Sequence, residues 1–154
     1  MTFQEIHCRQ ADPSEKEVVV SLLQAVGLPL EGVDEHFSDF IVAQIKGELA
    51  GCAGLEIHGE HGLLRSVAVM PARRREGVGS RLVRAVLAEA RRQRLKSLTL
   101  LTETAIDYFP HFGFVTISRD DVPVEVRASA EFQGACPDSA VVMIQWLSPI
   151  SEAL

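Results

Sequence analysis

A mixed α/β fold built around one sheet is predicted by three observations. Apolar segments of strand length recur along the chain, and two amphipathic stretches at helical spacing interrupt them. The run Leu63–Met70 stops at Pro71, crosses three arginines and Gly77-Val78-Gly79, and becomes an amphipathic helix. The chain has 154 residues, of which 47% are hydrophobic and 23% charged, and this fits one soluble domain over residues 1–154, with a short tail from about 148.

The elements follow in order. Thr2–Arg9 alternates and reads as a first strand. Asp12-Pro13-Ser14-Glu15 opens a helix, with Asp12 as N-cap, Pro13 in the first turn and Glu15 reaching back. Val18, Val19, Leu22, Leu23 and Val26 form its buried face, and Gly27 followed by Pro29 ends it. A loop, with one helical turn near Val33–Phe37, precedes two strands, Phe40–Ile45 and Leu49–Ile57, joined across Lys46-Gly47-Glu48. The turn His58–Gly62 leads into the central strand Leu63–Met70. The next helix buries Leu82, Val83, Val86, Leu87 and Ala90 and runs to about Arg94, before a strand Ser97–Leu101. The capping-box spacing of Thr104–Asp107 predicts a short helix that Pro110 breaks and Gly113 ends. A strand Phe114–Ser118 follows, then a helix over Val122–Phe132, and Ser139–Trp146 is the last strand.

Charge and cysteine usage narrow the function. A net charge of −6 argues against nucleic acid, while the local basic bias of residues 73–94 suits one anionic ligand. Cys8, Cys52 and Cys136 are odd in number and show no metal spacing, so reduced thiols, no metal and a cytoplasmic setting are expected. No apolar run approaches membrane-spanning length. The strand–glycine turn–helix unit is an anion site, because the first helical N–H groups lack partners and the helix dipole adds positive potential. Neither a dinucleotide fingerprint nor a Gly-Lys-Ser/Thr P-loop is present.

The spacing Arg74-x-x-Gly77-x-Gly79, the strand ending Val67-Ala68-Val69-x-Pro71, and the block from Ala105 to Phe112-Gly113-Phe114 together resemble the GNAT N-acetyltransferases over nearly the full length. Leu100–Phe109 is similar to the corresponding stretch of N-acetylglutamate synthases. Gly62–Ser66, the Leu-Leu-Thr block and Val122-Pro123 through Cys136-Pro137 resemble a bacterial subfamily associated with arsenic-resistance operons. The resemblance implies a mostly antiparallel sheet of about seven strands, splayed at its centre. It implies acetyl-CoA as co-substrate, with the pyrophosphate on the amides of Arg74, Arg75, Glu76, Gly77, Val78, Gly79 and Ser80. It also implies pantetheine along Val67, Ala68 and Val69, and an acetyl carbonyl polarised by a backbone N–H of Val67 or Ala68. Thr102 and Phe109 stand at family cofactor positions, but as departures. Phe109 replaces a tyrosine, and Tyr108 on a helix would be rotated by about 100° from that place.

Amine acetylation needs a neutral amine, and Glu56, on a strand beside His58, Glu60 and His61, is the first candidate base. Arg65 on the central strand either pairs with Glu56 or Glu131 or, with Ser66 and Arg127, grips the carboxylate of an amino-acid-like acceptor. No Cys-His pair is evident, which favours direct attack in a ternary complex. The expected substrate is a small amine bearing an acidic group. A peptide terminus, or a CoA-binding module without catalysis, is the alternative. Exposure of the last strand suggests a homodimer.

Overall fold

The computed structural model describes residues 5–147. Residues 2–4 of the predicted first strand and the predicted tail lie outside them. The order is β1 (Ile6–Gln10), α1 (Lys16–Ala25), α2 (Val33–His36), β2 (Phe40–Ile45), β3 (Glu48–His58), β4 (His61–Val69), α3 (Val78–Arg92), β5 (Ser97–Thr102), β6 (Val115–Ile117) and β7 (Val141–Trp146). One seven-stranded sheet has the order β1-β2-β3-β4-β5-β7-β6, and β4–β5 is its parallel pair.

Local signals account for most boundaries. Asp12 accepts from the Ser14 N–H while Glu15 accepts from the Asp12 N–H, so the capping box forms as the spacing requires. The α3 stripe of Val78, Leu82, Val83, Val86, Leu87 and Ala90 is buried against one face of the sheet. Each of its larger side chains contributes ~1.5–3 kcal/mol by leaving water. Val19, Leu22 and Leu23 of α1 cover the other face over Phe40, Val42, Cys52 and Ala68.

Three expectations are corrected. No regular helix forms between β5 and β6. Thr102 Oγ1 accepts the Ala105 N–H at 3.0 Å and starts a turn two residues before the predicted cap, and a 3₁₀ turn at Phe109–Phe112 is all that precedes Gly113. Pro110 lies within that turn, where a continuing α-helix would lose a hydrogen bond and clash. The predicted helix over Val122–Phe132 is two 3₁₀ turns, Val124–Ala128 and Ala130–Phe132. They are broken at Ser129, whose hydroxyl accepts the Glu131 N–H and competes with helical bonding. The last strand β7 is an inner strand, paired on both sides by β5 and β6, so its exposure no longer argues for a dimer.

The Phe40 ring of β2 lies against Gly54, its partner on β3, and the missing side chain makes this possible. A Cβ at Gly54 would stand 2.5 Å from Phe40 Cζ, in a fully buried ring. Gly54→Ala is expected to cost about 1–3 kcal/mol through overpacking. That lowers Tm by roughly 3–10 °C for a chain of this size. Thermal unfolding followed by circular dichroism checks it, and an unchanged Tm contradicts it.

Candidate active site

β4 and β5 pair only at His61↔Ser97, Gly62↔Leu98 and Leu63↔Thr99. Beyond Leu63 the strands part, and the edge of Leu64–Val69 that would face β5 pairs with no strand among the described residues. A bulge accompanies the parting. Gly54 pairs with Arg65 and Cys52 with Ala68, so Ser66 and Val67 oppose the single residue Ala53. Ser66 takes a left-handed backbone, φ 58°, and its carbonyl accepts from the Cys52 thiol at 3.3 Å. An extra residue of this kind turns backbone and side chains away from ladder positions. The exposed strand edge can hold an extended ligand by main-chain hydrogen bonds.

The gap opens into a cleft of about 240 Å³. Its walls are Arg65–Val67 of β4, Leu100–Thr102 of β5, Tyr108 and Phe109 of the following turn, Leu28 and Pro29 from the loop after α1, and Glu131 and Cys136 from the segment before β7. A second hollow, of about 280 Å³, is lined by Val69, Arg73, Arg74, Arg75, Gly77, Val78, Gly79, Ser80 and Tyr108. Tyr108 borders both.

The second hollow could hold an anion. Gly77 is the N-cap of α3 at φ 84°, a conformation a Cβ disfavours. No side chain caps this helix and no acidic residue stands in its first turn. The N–H groups of Val78, Gly79 and Ser80 therefore lack helical partners, since the first helical bond is Arg81 N–H to the Gly77 carbonyl. Arg73, Arg74 and Arg75 add positive charge around those donors, with Arg73 near Glu76 at 3.8 Å.

Most of the predicted site residues fall into two groups, while Glu56, Arg127 and Glu76 line neither hollow. Val67 and Phe109 line the cleft, as do Ser66, Thr102 and Arg65. Val69, Arg74, Arg75, Gly77, Val78, Gly79 and Ser80 line the anion hollow. Ala68 lies between, paired to Cys52. The helix on which Tyr108 would have been rotated away is absent, and the tyrosine occupies the junction. A Cβ at Gly79 would stand 3.2 Å from its hydroxyl. Partial burial pushes the Tyr108 phenol up, and Arg84 opposes this. Phe109 is instead a core ring, edge-on to Phe114 at 5.9 Å.

Glu56 and Arg65 form the buried centre of a polar network. Arg65 Nη1 donates to Glu56 Oε2 at 2.8 Å and to the Glu31 carbonyl at 2.6 Å. Its Nη2 donates to the Pro29 carbonyl, and its Nε donates to Ser66 Oγ with Glu131 Oε2 at 3.5 Å. The two side chains have no exposed surface. Glu56 Oε1 meets His58 Nε2 at 2.7 Å and His36 Nε2 at 3.6 Å. Burial raises the Glu56 carboxyl, but hydrogen bonds from Arg65, His58 and Ser129 outweigh it and hold the group below its usual range. It is a poor base and does not line the cleft. Arg127 is spent on the Val122 and Asp120 carbonyls. Neither arginine presents the open two-donor fork that a substrate carboxylate would need.

Sequence reasoning missed Tyr108, Cys136 and the Ser66 bulge as site features, and took Glu131 only as a partner for Arg65. The bulge has no local sequence signature. Glu131 lines the cleft from a 3₁₀ turn that Ser129 opens, where a continuous helix was predicted.

A model of the acetyltransferase (GNAT) family matches residues 5–114. An amino-acid acetyltransferase of Neisseria meningitidis is 32% identical over 106 residues, which cover 68% of this chain and 24% of that protein. A mycothiol acetyltransferase of Nocardia farcinica is 49% identical over 77 residues, 49% of this chain and 22% of that protein. Among solved structures, N-acetylglutamate synthase from Neisseria gonorrhoeae, complexed with coenzyme A and N-acetyl-glutamate, superposes with a TM-score of 0.79 at 25% identity. That match covers 94% of this chain and 35% of the synthase. The chain thus spans about a quarter of the length of these curated relatives.

A side chain at Gly79 would fill the space between the helix amides and Tyr108. Gly79→Val is expected to raise the Kd for coenzyme A at least about tenfold, ~1.4 kcal/mol. Calorimetric titration checks it, with Tm as the control for folding. Unchanged affinity in a folded variant contradicts the anion-site assignment.

Proposed function

The chain belongs to the acetyltransferase (GNAT) family, and from that premise we propose that it transfers the acetyl group of acetyl-CoA to the amine of a small amino-acid-like molecule. The observation that carries the reading is the parting of β4 and β5 after Leu63↔Thr99, which sets a cleft beside the uncapped start of α3, with Tyr108 bordering both. In this reading the Val78–Ser80 amides hold the pyrophosphate, and the free edge of Val67–Val69 holds the pantetheine arm. An N–H at the bulge polarises the acetyl carbonyl, where negative charge grows during attack.

Direct attack by the amine fits the cysteines. Burial pushes the Cys52 thiol up to about 12, and burial with the nearby Glu131 pushes Cys136 to about 12. Neither is the thiolate that a covalent relay would need. Glu131 and Cys136 of the segment before β7 and the loop at Leu28–Pro29 wall the acceptor side, which favours a small molecule over a polypeptide. The amino-acid class is supported by the named activity of the Neisseria relatives. An acidic group on the substrate rested on Arg65 and Arg127, whose donors are used within the protein. The arsenic-resistance association adds arsenic and phosphorus analogues of glutamate to the acceptors worth testing.

Thiol release from acetyl-CoA decides between acceptors. The panel is L-glutamate, its phosphinic and arsinic analogues, neutral amino acids and a tetrapeptide with a free terminus. At least one free amino acid or analogue is expected to exceed the tetrapeptide by about tenfold or more in kcat/KM, ~1.4 kcal/mol in transition-state binding. A preference for the peptide, or no amine-dependent release at all, contradicts the reading.

A further inference from the structure

Two charged residues are among those lining the acceptor cleft, Arg65, whose side chain is fully buried, and Glu131. Arg65 is already committed: its guanidinium serves Glu56, the Glu31 and Pro29 carbonyls and Ser66. Glu131 touches that guanidinium only at 3.5 Å, through Nε. Glu56 takes the short ion pair, and Glu131, whose side chain is 5% exposed, is left as the acidic residue of the cleft lining, with the Cys136 thiol donating to it. Its position is fixed by the Ser129 hydroxyl, which accepts the Glu131 N–H. An acidic residue in the lining is the complement of an ammonium group.

Resting on the acetyltransferase reading, we propose that Glu131 is the catalytic residue that binds the acceptor ammonium in the cleft and takes its proton. The acceptor enters as R–NH3+, and one proton passes to the Glu131 carboxylate. The nitrogen lone pair then bonds to the thioester carbonyl carbon. The C–S bond breaks, the CoA sulfur leaves with that electron pair and takes the second N–H proton, and Glu131 returns its proton to water. Amide, CoA thiol and one released proton balance the ammonium and the thioester.

The environment suits this exchange. Burial raises the Glu131 carboxyl, Arg65 and Cys136 lower it, and Glu56 of β3 and Glu31 of the loop after α1 raise it further; the balance lies above the ordinary carboxylate range. Desolvation in the same cleft makes an ammonium a stronger acid, which brings its proton affinity nearer to that of Glu131. Glu56, by contrast, is held as an anion by Arg65 and His58 and does not reach the cavity.

The test uses the full chain, saturating acetyl-CoA and the fastest amino acid of the panel above. Glu131→Gln, close in shape but unable to take a proton, is expected to lower kcat/KM by about 10²–10⁴-fold. It should leave CoA affinity unchanged, and Glu131→Asp should recover part of the loss. The unaltered enzyme should lose kcat/KM on its acid side in step with one group titrating above the usual carboxylate range. That limb should vanish in Glu131→Gln. A loss within about threefold, or a surviving acid limb, overturns the proposal. A second readout does not depend on turnover. The Glu131 side-chain carboxyl ¹³C resonance, assigned by its absence in Glu131→Gln, should shift when excess methylammonium is added to the CoA complex. No shift overturns the role of Glu131 whatever the panel shows, whereas a shift with no turnover overturns only the acetyltransferase reading.

Discussion

The parting of β4 from β5 is the constraint on which the rest of the site depends. Three residue pairs hold the two halves of the sheet together, and from Leu64 onward β4 keeps a partner on one side only. An unpaired strand edge is costly inside a core and useful beside a ligand that can complete it. The bulge at Ser66 and Val67 makes the divergence geometrically possible, because the extra residue re-aims the strand without breaking its ladder to β3. The same strand then delivers the chain through Pro71 to the start of α3, so one element sets both ends of the binding surface.

The buried polar network is what keeps this open geometry rigid. An arginine at the centre of a sheet is tolerable only when nearly every donor is matched. Arg65 meets that condition through two carboxylates, two loop carbonyls and the bulge hydroxyl. In doing so it ties the loop after α1 and the segment before β7 to β4, the three pieces that wall the acceptor cleft. Its role is to position the walls while Glu56 takes its short ion pair and Glu131 stays in the cleft lining.

What the sequence revealed followed the range of the interactions. The capping box at Asp12, the buried stripe of α3 and the glycine turn at its start are local patterns, and each forms in place. Arg65 could be marked as needing a partner, yet the choice between Glu56 and Glu131 belonged to the folded sheet, which uses both. The segment after β5 misled because Thr102, not Thr104, caps the turn and Pro110 permits only a 3₁₀ turn. That error moved Tyr108 away from the cleft on a helix that does not form. Glu131 was hidden for the same kind of reason, behind a predicted helix that Ser129 interrupts. The bulge at Ser66 depends on the register of β3 against β4, which no local pattern encodes.

The central claim is that the open edge of β4 and the amides opening α3 form one continuous ligand surface. Backbone ¹⁵N–¹H shifts during a coenzyme A titration test it most directly. The account predicts saturable changes with one shared Kd at Val67–Val69 and at Gly77–Ser80. Changes confined to the helix start, with Val67–Val69 unmoved, would contradict it.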